Sequence, residues 1–455
     1  MLTVSIGCET VLGPMQEIPE DIRTALKATL QFQNPEFQER RRRGRSVYGV
    51  EKTIQCFKEG STGFSIPRGA TRQAIATLRK FKVPYRLEDH RRTLQEVNLQ
   101  FLGELRNYQK AAVEDVLRRD FGVLEAPTGS GKTIMSLKVV AARRQPTLIA
   151  VPSLELLEQW IDRSSFFLGI PVSEVGVIGG GKFKLGEAIT IATIQSLYRR
   201  AKEVAPLIGH IILDECHHVP SRTFAHVISS FDSKFMLGLS ATPWRRDKLD
   251  KLIYFYLGDN VHKVESGSLR EKGCILRAEV IVRETAFQSK FHPSEEYGKM
   301  ISELIDDPTR NEFIVQDVAM EAAKGIGACL VLADRKTHCH TLAGLLRQRG
   351  VECEVLTGDV SKPERKRIVN SINDGSAKVV IATGQLIGEG FDATGLSVLF
   401  LASPIRFGGR LLQYIGRVIR PAPGKRGAKV YDYVDANVGV LKHSARERRK
   451  VYDAA

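Results

Sequence analysis

The residues best suited to chemistry lie in a glycine-bearing stretch, residues 126–133, that follows an apolar run and precedes a helix-like segment. Strand, loop and helix in that order let backbone N–H groups and a helix N-terminus face anionic oxygens. Lys132 can add a charge for the β- and γ-phosphates of a nucleotide, and the Thr133 hydroxyl can hold Mg²⁺. Ala126 replaces the first glycine of the usual pattern. The predicted phosphate-binding residues are Thr128, Gly129, Ser130, Gly131, Lys132 and Thr133.

Two carboxylates supply the second part of a hydrolysis site. The apolar run 208–213 ends in Asp214 and Glu215, which a parallel sheet would place at its carboxyl edge beside the phosphate loop. Asp214 can hold Mg²⁺ through water, and Glu215 can orient and deprotonate an attacking water. Upstream, the amide of Gln109 can donate to and accept from an adenine edge, with Arg106 close to it in the chain. ATP and Mg²⁺ are therefore the predicted ligands.

These segments resemble the motifs of superfamily 2 helicases and translocases, in the DExH branch. The acidic motif is Asp-Glu-Cys-His at 214–217, and Ser-Ala-Thr-Pro at 240–243 looks like the third motif. Residues 388–392 resemble the fifth motif and residues 413–420 the sixth. Within the superfamily the closest likeness is to the XPB, RecG and UvsW neighbourhood, and not to the DEAD-box RNA helicases.

The resemblance implies roles for further residues. Gly390 and Asp392 would contact the nucleotide. Arg417 and Arg420 lie three apart, so a helix could turn both toward a nucleotide held by the other domain, with Arg420 as the arginine finger. The residues expected to couple hydrolysis to the nucleic-acid track are His217, Ser240, Thr242 and Gln413. The residues expected to contact DNA from the motor domains are Ser153, Thr193, Thr357 and Thr383.

The elements that must position these residues alternate between strand and helix, which predicts parallel α/β sheets. The resemblance implies that they form two RecA-like motor domains. We expect the first domain at residues 96–262, a linker at 263–310 and the second domain at 311–455. Residues 1–95 contain no catalytic motif and predict a small N-terminal α+β domain.

Charge points to a polyanionic partner. The chain has 67 Lys and Arg against 52 Asp and Glu, a formal net charge of +15, which favours nucleic acid without identifying it. In the N-terminal domain, Tyr48, Phe57 or Phe64 could stack on bases, or belong to an ordinary core. The basic residues expected to track a DNA backbone there are Arg40, Arg41, Arg42, Arg43 and Arg68, the alternative being a solvated helix face.

Other functional classes find little support. The seven cysteines include no Cys-x-x-Cys pair, so neither a disulfide framework nor a zinc ribbon is indicated. No signal-like start is present, and no apolar run approaches the roughly 18 residues of a membrane span. We expect an intracellular protein, in the cytoplasm of a bacterial or phage-infected cell.

The predicted function is an ATP-dependent DNA helicase on forked or branched duplexes in replication, recombination or repair. Movement 3′ to 5′ is implied by the resemblance alone. Three alternatives remain open: a duplex translocase of the restriction or defence type that does not unwind, an RNA helicase, and an ATP-gated binding scaffold. Intact Lys132, Glu215 and Arg420 argue against the scaffold.

Overall fold

The computed structural model describes every residue except 43, 220, 242–248, 266, 268, 270–275, 293–295, 389–390, 392, 406–407, 423–424, 426 and 455. Thr242, Gly390, Asp392 and Arg43, which carry predictions, lie outside the described residues. Contacts divide the chain into two units. The first comprises Met1–Ala126 with Gly131–Val264, and the second comprises Pro127–Ser130 with Glu265–Ala455.

The first unit begins with the expected small α+β domain. Its strands are β1 (Leu2–Ile6), β2 (Glu9–Gly13), β3 (Gln31–Gln33), β4 (Thr53–Gln55), β5 (Lys58–Gly60), β6 (Gly63–Pro67) and β7 (Tyr85–Asp89). Its helices are α1 (Glu20–Leu30), α2 (Pro35–Arg42) and α3 (Thr71–Lys80). The five-stranded sheet has the order β5-β6-β2-β1-β7, while β3 and β4 form a separate antiparallel pair.

Hydrophobic periodicity explains these elements. Alternate side chains of β1 are buried, and α1 buries Ile22, Leu26 and Leu30, which recur every fourth residue on one helix face. Phe64 is part of the same core, and Phe57 packs against it, so both follow the ordinary-core alternative. Leu252 and Phe255 belong to this core too, although they lie far along the chain. The expected boundary near residue 95 therefore does not separate two independent cores.

The rest of the first unit is built on an eight-stranded sheet of order β11-β10-β12-β9-β13-β14-β8-β15. All neighbouring strands in it are parallel except β10 and β11. The strands are β8 (Phe121–Glu125), β9 (Thr147–Val151), β10 (Gly176–Gly179), β11 (Lys182–Lys184), β12 (Ile189–Thr193), β13 (His210–Leu213), β14 (Phe235–Ser240) and β15 (Asn260–Lys263). The helices are α4 (Asn107–Leu117), α5 (Lys132–Arg143), α6 (Leu154–Leu168), α7 (Ile194–Tyr198), α8 (Ala201–Val204), α9 (Arg222–Ile228) and α10 (Asp250–Leu257).

Strands β9, β12 and β13 are buried at every position, as expected for parallel strands covered on both faces. Their carboxyl ends share one edge of the sheet, because Val151 pairs with Thr193 and Leu213 pairs with Ala150. Residues that follow these strands are therefore gathered at that edge.

The second unit is built on a six-stranded, wholly parallel sheet of order β16-β21-β20-β17-β19-β18. Its strands are β16 (Ala278–Glu284), β17 (Ala328–Ala333), β18 (Glu354–Leu356), β19 (Val379–Thr383), β20 (Leu396–Leu401) and β21 (Ala428–Val434). Its helices are α11 (Tyr297–Asp306), α12 (Pro308–Lys324), α13 (Lys336–Gln348), α14 (Lys362–Asn373), α15 (Gly384–Gly388), α16 (Gly408–Val418) and α17 (Gly439–Ala454).

The predicted linker at 263–310 needs correction. Strand β16 pairs along its full length with β21, and α11 packs with Val438 and Leu441. These segments belong to the second unit because their hydrogen-bond and apolar partners lie more than a hundred residues further on. Among the described residues, no helix is both long and apolar enough to cross a membrane.

Candidate nucleotide-hydrolysis site

The phosphate loop connects β8 to α5 through two glycines in the left-handed region. Gly129 and Gly131 both have φ of 86°. A Cβ on Gly131 would lie 2.5 Å from Gln109 Nε2, and the positive φ of Gly131 favours glycine at this position. The structure thus brings Gln109, predicted to read adenine, against the start of α5. Ser130 Oγ donates to Pro127 O at 2.7 Å.

Upstream residues are arranged around the same helix start. Gln109 Oε1 accepts from the backbone N–H of Arg106 at 2.9 Å, which closes the first turn of α4. Lys132 Nζ donates to Ala126 O at 3.0 Å across the loop. Thr133 follows Lys132 in the first turn of α5, where N–H groups without helical partners favour anions.

The two carboxylates follow β13 directly. Asp214 Oδ2 accepts from the indole N–H of Trp160 at 2.8 Å, and its Oδ1 accepts from the backbone N–H of Glu215 at 2.9 Å. Glu215 adopts a left-handed backbone with φ of 49°, a conformation that costs about 1 kcal/mol or more in a residue with a side chain. Strain of this kind concentrates at functional sites.

The surroundings shift the pKa values of the two carboxyl groups in opposite directions. Burial and the neighbouring charge of Glu215 raise the pKa of Asp214. Burial also acts to raise the pKa of Glu215, but the hydrogen bond from His217 and the charge of Lys132 outweigh it and lower that pKa overall. Glu215 is therefore ionised at neutral pH, the state that a proton acceptor requires.

The donor set fits Mg²⁺ bound together with a nucleotide. Among the described residues, no group of three or more His, Cys, Asp or Glu could cage a metal ion. Mg²⁺ in phosphoryl-transfer sites is commonly held by one or two carboxylates and by phosphates of the substrate. A buried Asp214 with a raised pKa is a ligand that a divalent cation would hold ionised.

A chain of polar groups connects Glu215 to the end of β14. His217 Nδ1 lies 3.2 Å from Glu215 Oε2, and Ser240 Oγ lies 3.5 Å from the same nitrogen. The structure thus brings together three residues predicted for catalysis and coupling. Their roles remain predictions.

The residues expected to contact nucleic acid occupy strand ends. Ser153 accepts from Leu156 N as the cap of α6, and Thr193, which is buried, donates to Ser196 Oγ at 2.9 Å. They follow or end the paired strands β9 and β12. In the second unit, Thr357 follows β18 and Thr383 ends β19, which are again neighbours. Thr357 is buried.

The predicted arginine pair is not on one helix. Arg417 is in α16 and is buried, whereas α16 ends at Val418, so Arg420 lies beyond it. Lys425 Nζ donates to the Arg420 carbonyl at 2.9 Å. Gln413 lies in α16 and is half-buried. The arginine-finger role of Arg420 stays a prediction.

The prediction that Arg68 contacts DNA is wrong. Its side chain is buried, and its guanidinium donates to Ser233 O at 2.8 Å and to Gly7 O at 3.3 Å. Burial lowers its pKa to about 10, which leaves it charged at neutral pH. Arg68 therefore fastens the N-terminal domain to the strand β14 and cannot reach a DNA backbone.

The basic run 40–43 is only partly available to a ligand. Arg40 is paired with Glu36 one turn earlier in α2, at 2.6 Å. Arg41 and Arg42 are exposed.

Trp160 is a site residue that sequence reasoning did not find. In the sequence it marks only the apolar face of a helix with Leu157. One signal was present: an indole N–H is a donor only, so a buried Trp needs an acceptor. That the acceptor is Asp214 depends on how α6 packs against β9 and β12, beside the end of β13, which no local pattern shows.

Two segments of the chain match known protein families. Residues 102–245 match the family described as type III restriction enzyme, res subunit, and residues 312–422 match the helicase conserved C-terminal domain. The chain belongs to the superfamily 2 helicases and translocases. This superfamily 2 protein therefore hydrolyses ATP, and its two sheets are the two RecA-like motor domains predicted.

Relatives place this superfamily 2 protein in the XPB and UvsW neighbourhood. It is 27% identical to the DNA 3'-5' translocase XPB2 of Sulfurisphaera tokodaii, over 70% of this chain and 79% of the relative. It is 25% identical to the ATP-dependent DNA helicase uvsW of Enterobacteria phage T4, over 75% and 70% of the two chains. The structure of S. cerevisiae Dbp5 bound to RNA and ADP BeF3 shares the fold, with a TM-score of 0.56, 16% identity and coverage of 78% and 89%.

Proposed function

We propose that the protein is an ATP-dependent DNA helicase that translocates on and unwinds, or branch-migrates, forked or branched DNA during replication, recombination or repair. The observation that carries this proposal is the N-terminal domain. It presents exposed arginines on α2 and shares one hydrophobic core with the motor domain that contains the hydrolysis residues. These exposed arginines would face DNA, and the shared core attaches their domain to the motor domain.

In the proposed mechanism, residues 128–133 hold the phosphates of ATP, and Gln109 with Arg106 holds the base. Thr133 and Asp214 would hold Mg²⁺, which would neutralise charge on the transferring phosphoryl group. Glu215 accepts the proton of the water that attacks the γ-phosphorus, as the bond between that phosphorus and the bridging oxygen to ADP breaks. Arg420, aided by Arg417, stabilises the negative charge on the phosphoryl oxygens.

Coupling would run through the polar chain beside Glu215. His217 is within 3.2 Å of the proton acceptor and 3.5 Å of Ser240, at the end of β14. A change of charge on Glu215 would therefore alter the hydrogen bonding at this strand end. Thr242 and Gln413 are the other residues proposed to take part in coupling. Ser153, Thr193, Thr357 and Thr383 would follow the nucleic-acid backbone along the two sheet edges.

The deciding experiment is the ATPase rate with single-stranded, duplex, forked and four-way-junction DNA, and with RNA, at matched salt. We expect the strongest stimulation by forks or junctions. Glu215→Gln is the matched control: it should bind ATP and DNA yet lose turnover. Stimulation by RNA alone would end the DNA hypothesis, and loss of ATP binding in Glu215→Gln would contradict the role given to that residue.

A second candidate is a duplex translocase of the restriction or defence type. The match of residues 102–245 to a restriction-enzyme subunit family favours it. Equal stimulation of ATPase by plain duplex and by forks would support it, because a motor that tracks duplex DNA needs no branch.

A further inference from the structure

A segment of the N-terminal domain, residues 34–52, stands outside its core. It connects β3 to β4, and its root is closed by Asn34, whose N–H donates to Lys52 O at 3.0 Å and whose Nδ2 donates to Glu51 O at 2.9 Å. Asn34 Oδ1 also accepts from Glu36 N at 3.0 Å, which caps α2. Hydrogen bonds thus close the base of the 34–52 segment.

Its helix contributes nothing to the core. α1 and α3 each bury three residues, whereas α2 buries none. Arg41, Arg42 and Arg45 are exposed, and none of them forms an ion pair with a residue that the structure describes. Phosphate oxygens are the partners that such unpaired guanidinium groups bind best.

An aromatic side chain stands at the tip of the same segment. Val50 N–H donates to Val47 O at 3.1 Å, closing a four-residue turn, and Gly49 supplies the positive φ of 73° that this turn requires. Tyr48 occupies the corner and is 95% exposed. A turn closed in this way limits the positions that the ring can reach, which lowers the entropic cost of binding through it.

Resting on the proposed function, we propose that the 34–52 segment binds the branch point of forked DNA. Arg41, Arg42 and Arg45 would bind phosphates of the duplex arm, and Tyr48 would stack on the terminal base pair. Phosphates alone would suit any nucleic acid, and a ring alone would suit any single strand. A basic helix followed by an exposed aromatic ring fits a branch point. There the duplex offers backbone phosphates next to a terminal base pair that has one unstacked face.

The segment is fixed to the motor at its root. Phe32 in β3 packs on Phe255 in α10, with ring centroids 6.4 Å apart. Arg68 adds its hydrogen bond to Ser233, next to the start of β14. A branch point held by the 34–52 segment would therefore move together with the strand that ends in Ser240.

The test measures binding of the full chain to a forked duplex with 2-aminopurine at the base pair beside the branch. We expect wild type to change the fluorescence of this probe and to bind the fork more tightly than single-stranded DNA. Tyr48→Ala should lose the fluorescence change and bind the fork roughly tenfold more weakly, whereas Tyr48→Phe should retain both. Phe166→Ala removes another exposed ring, on α6, and should match wild type.

A second measurement addresses the arginines. Arg41→Gln with Arg42→Gln should make the salt dependence of fork binding shallower by about one to two in slope, because each phosphate contact contributes about one. If wild type shows no preference for forks, the proposed function fails and this inference with it. If wild type prefers forks but Tyr48→Ala does so equally, with an unchanged probe signal, this inference alone is overturned.

Discussion

At the scale of single residues, the site depends on how two adjacent carboxylates are kept different. Asp214 is held by Trp160 and by a backbone N–H, while Glu215 faces His217 and the charge of Lys132. The left-handed backbone at Glu215 turns neighbouring residues in different directions. Asp214 can then bind a cation while Glu215 accepts a proton.

Trp160→Phe tests this division. A smaller aromatic ring replaces the indole and the donor to Asp214 is lost, so the pKa of Asp214 should rise further and protons should compete better with Mg²⁺. We expect the Mg²⁺ concentration for half-maximal ATPase to rise about tenfold, since a hydrogen bond to a charged group contributes about 1.5–3 kcal/mol. The rate at saturating Mg²⁺ should stay near that of wild type, and an unchanged Mg²⁺ requirement would argue against this role for the indole.

His210 gives the first motor domain a dependence on pH. Its Nε2 accepts from Arg143 at 2.9 Å, since a guanidinium can only donate, which leaves the ring proton on Nδ1, 3.4 Å from Thr147 Oγ1. Burial, and then the charge of Arg143, lowers the pKa of His210 well below its usual value. Below the unfolded-state pKa of about 6.5, the unfolded chain therefore takes up a proton that the folded one refuses.

The free energy of unfolding of wild type should accordingly fall with pH below about 6.5, by up to about 1.4 kcal/mol per pH unit from this group. His210→Gln, which can still accept from Arg143, should have a flatter profile. Tryptophan fluorescence during denaturation reports on the first unit, which contains His210, because both tryptophans, Trp160 and Trp244, fall between residues 131 and 264. Parallel profiles for the two proteins from pH 7.5 to 5.5 would exclude His210 as the source.

At the scale of elements, the N-terminal domain is attached by close backbone packing. A Cβ on Gly69 would lie 2.4 Å from Gly258 N, 2.5 Å from Tyr254 O and 2.6 Å from Phe255 O. Ion pairs also join the N-terminal residues to the motor domain, including Arg92 with Asp232 at 2.9 Å and Arg72 with Asp259 at 2.9 Å. The end of α10 and the turn before α3 therefore touch without room for a side chain.

Gly69→Ala should separate these elements. We expect the free energy of unfolding of the first unit to fall by about 1–3 kcal/mol, as for other overpacked sites, together with a lower Tm. Gly60→Ala is the matched control, because a Cβ there meets nothing within 4 Å and its φ is not positive. Equal thermal stability of the two variants would show that the contact is less close than described.

Local sequence patterns predicted many of the site residues but not the long-range contacts that position them. The phosphate loop and the pair Asp214 and Glu215 were found because strand, loop and helix follow each other directly in the chain. The burial of Arg68 was not found, because its acceptor Ser233 lies 165 residues away. Strand β16 was assigned to a linker for the same reason, since its partner β21 comes 150 residues later, as Ala278 paired with Ala428 shows.

At the scale of the whole molecule, the question is whether ATP hydrolysis separates strands or only moves the protein. We expect ATP-dependent separation of a forked duplex, and at most weak displacement of a triplex-forming strand from uninterrupted duplex. The physical reason is that exposed arginines and an exposed ring on one segment favour a branch over plain duplex. Lys132→Ala is the control for ATP dependence. Efficient triplex displacement without strand separation would instead identify a duplex translocase.

The core shared by the N-terminal domain and α10 bears on how the domain can be studied. Removing residues 1–90 would strip the cover from Leu252 and Phe255, which are 8% and 4% exposed in the intact chain. A shortened chain would therefore expose a hydrophobic surface and tend to aggregate. Poor DNA unwinding by such a chain would reflect this aggregation and not a loss of DNA recognition. Single substitutions at the tip of the 34–52 segment leave that surface covered. They can therefore test DNA recognition without disrupting the fold of the motor domain.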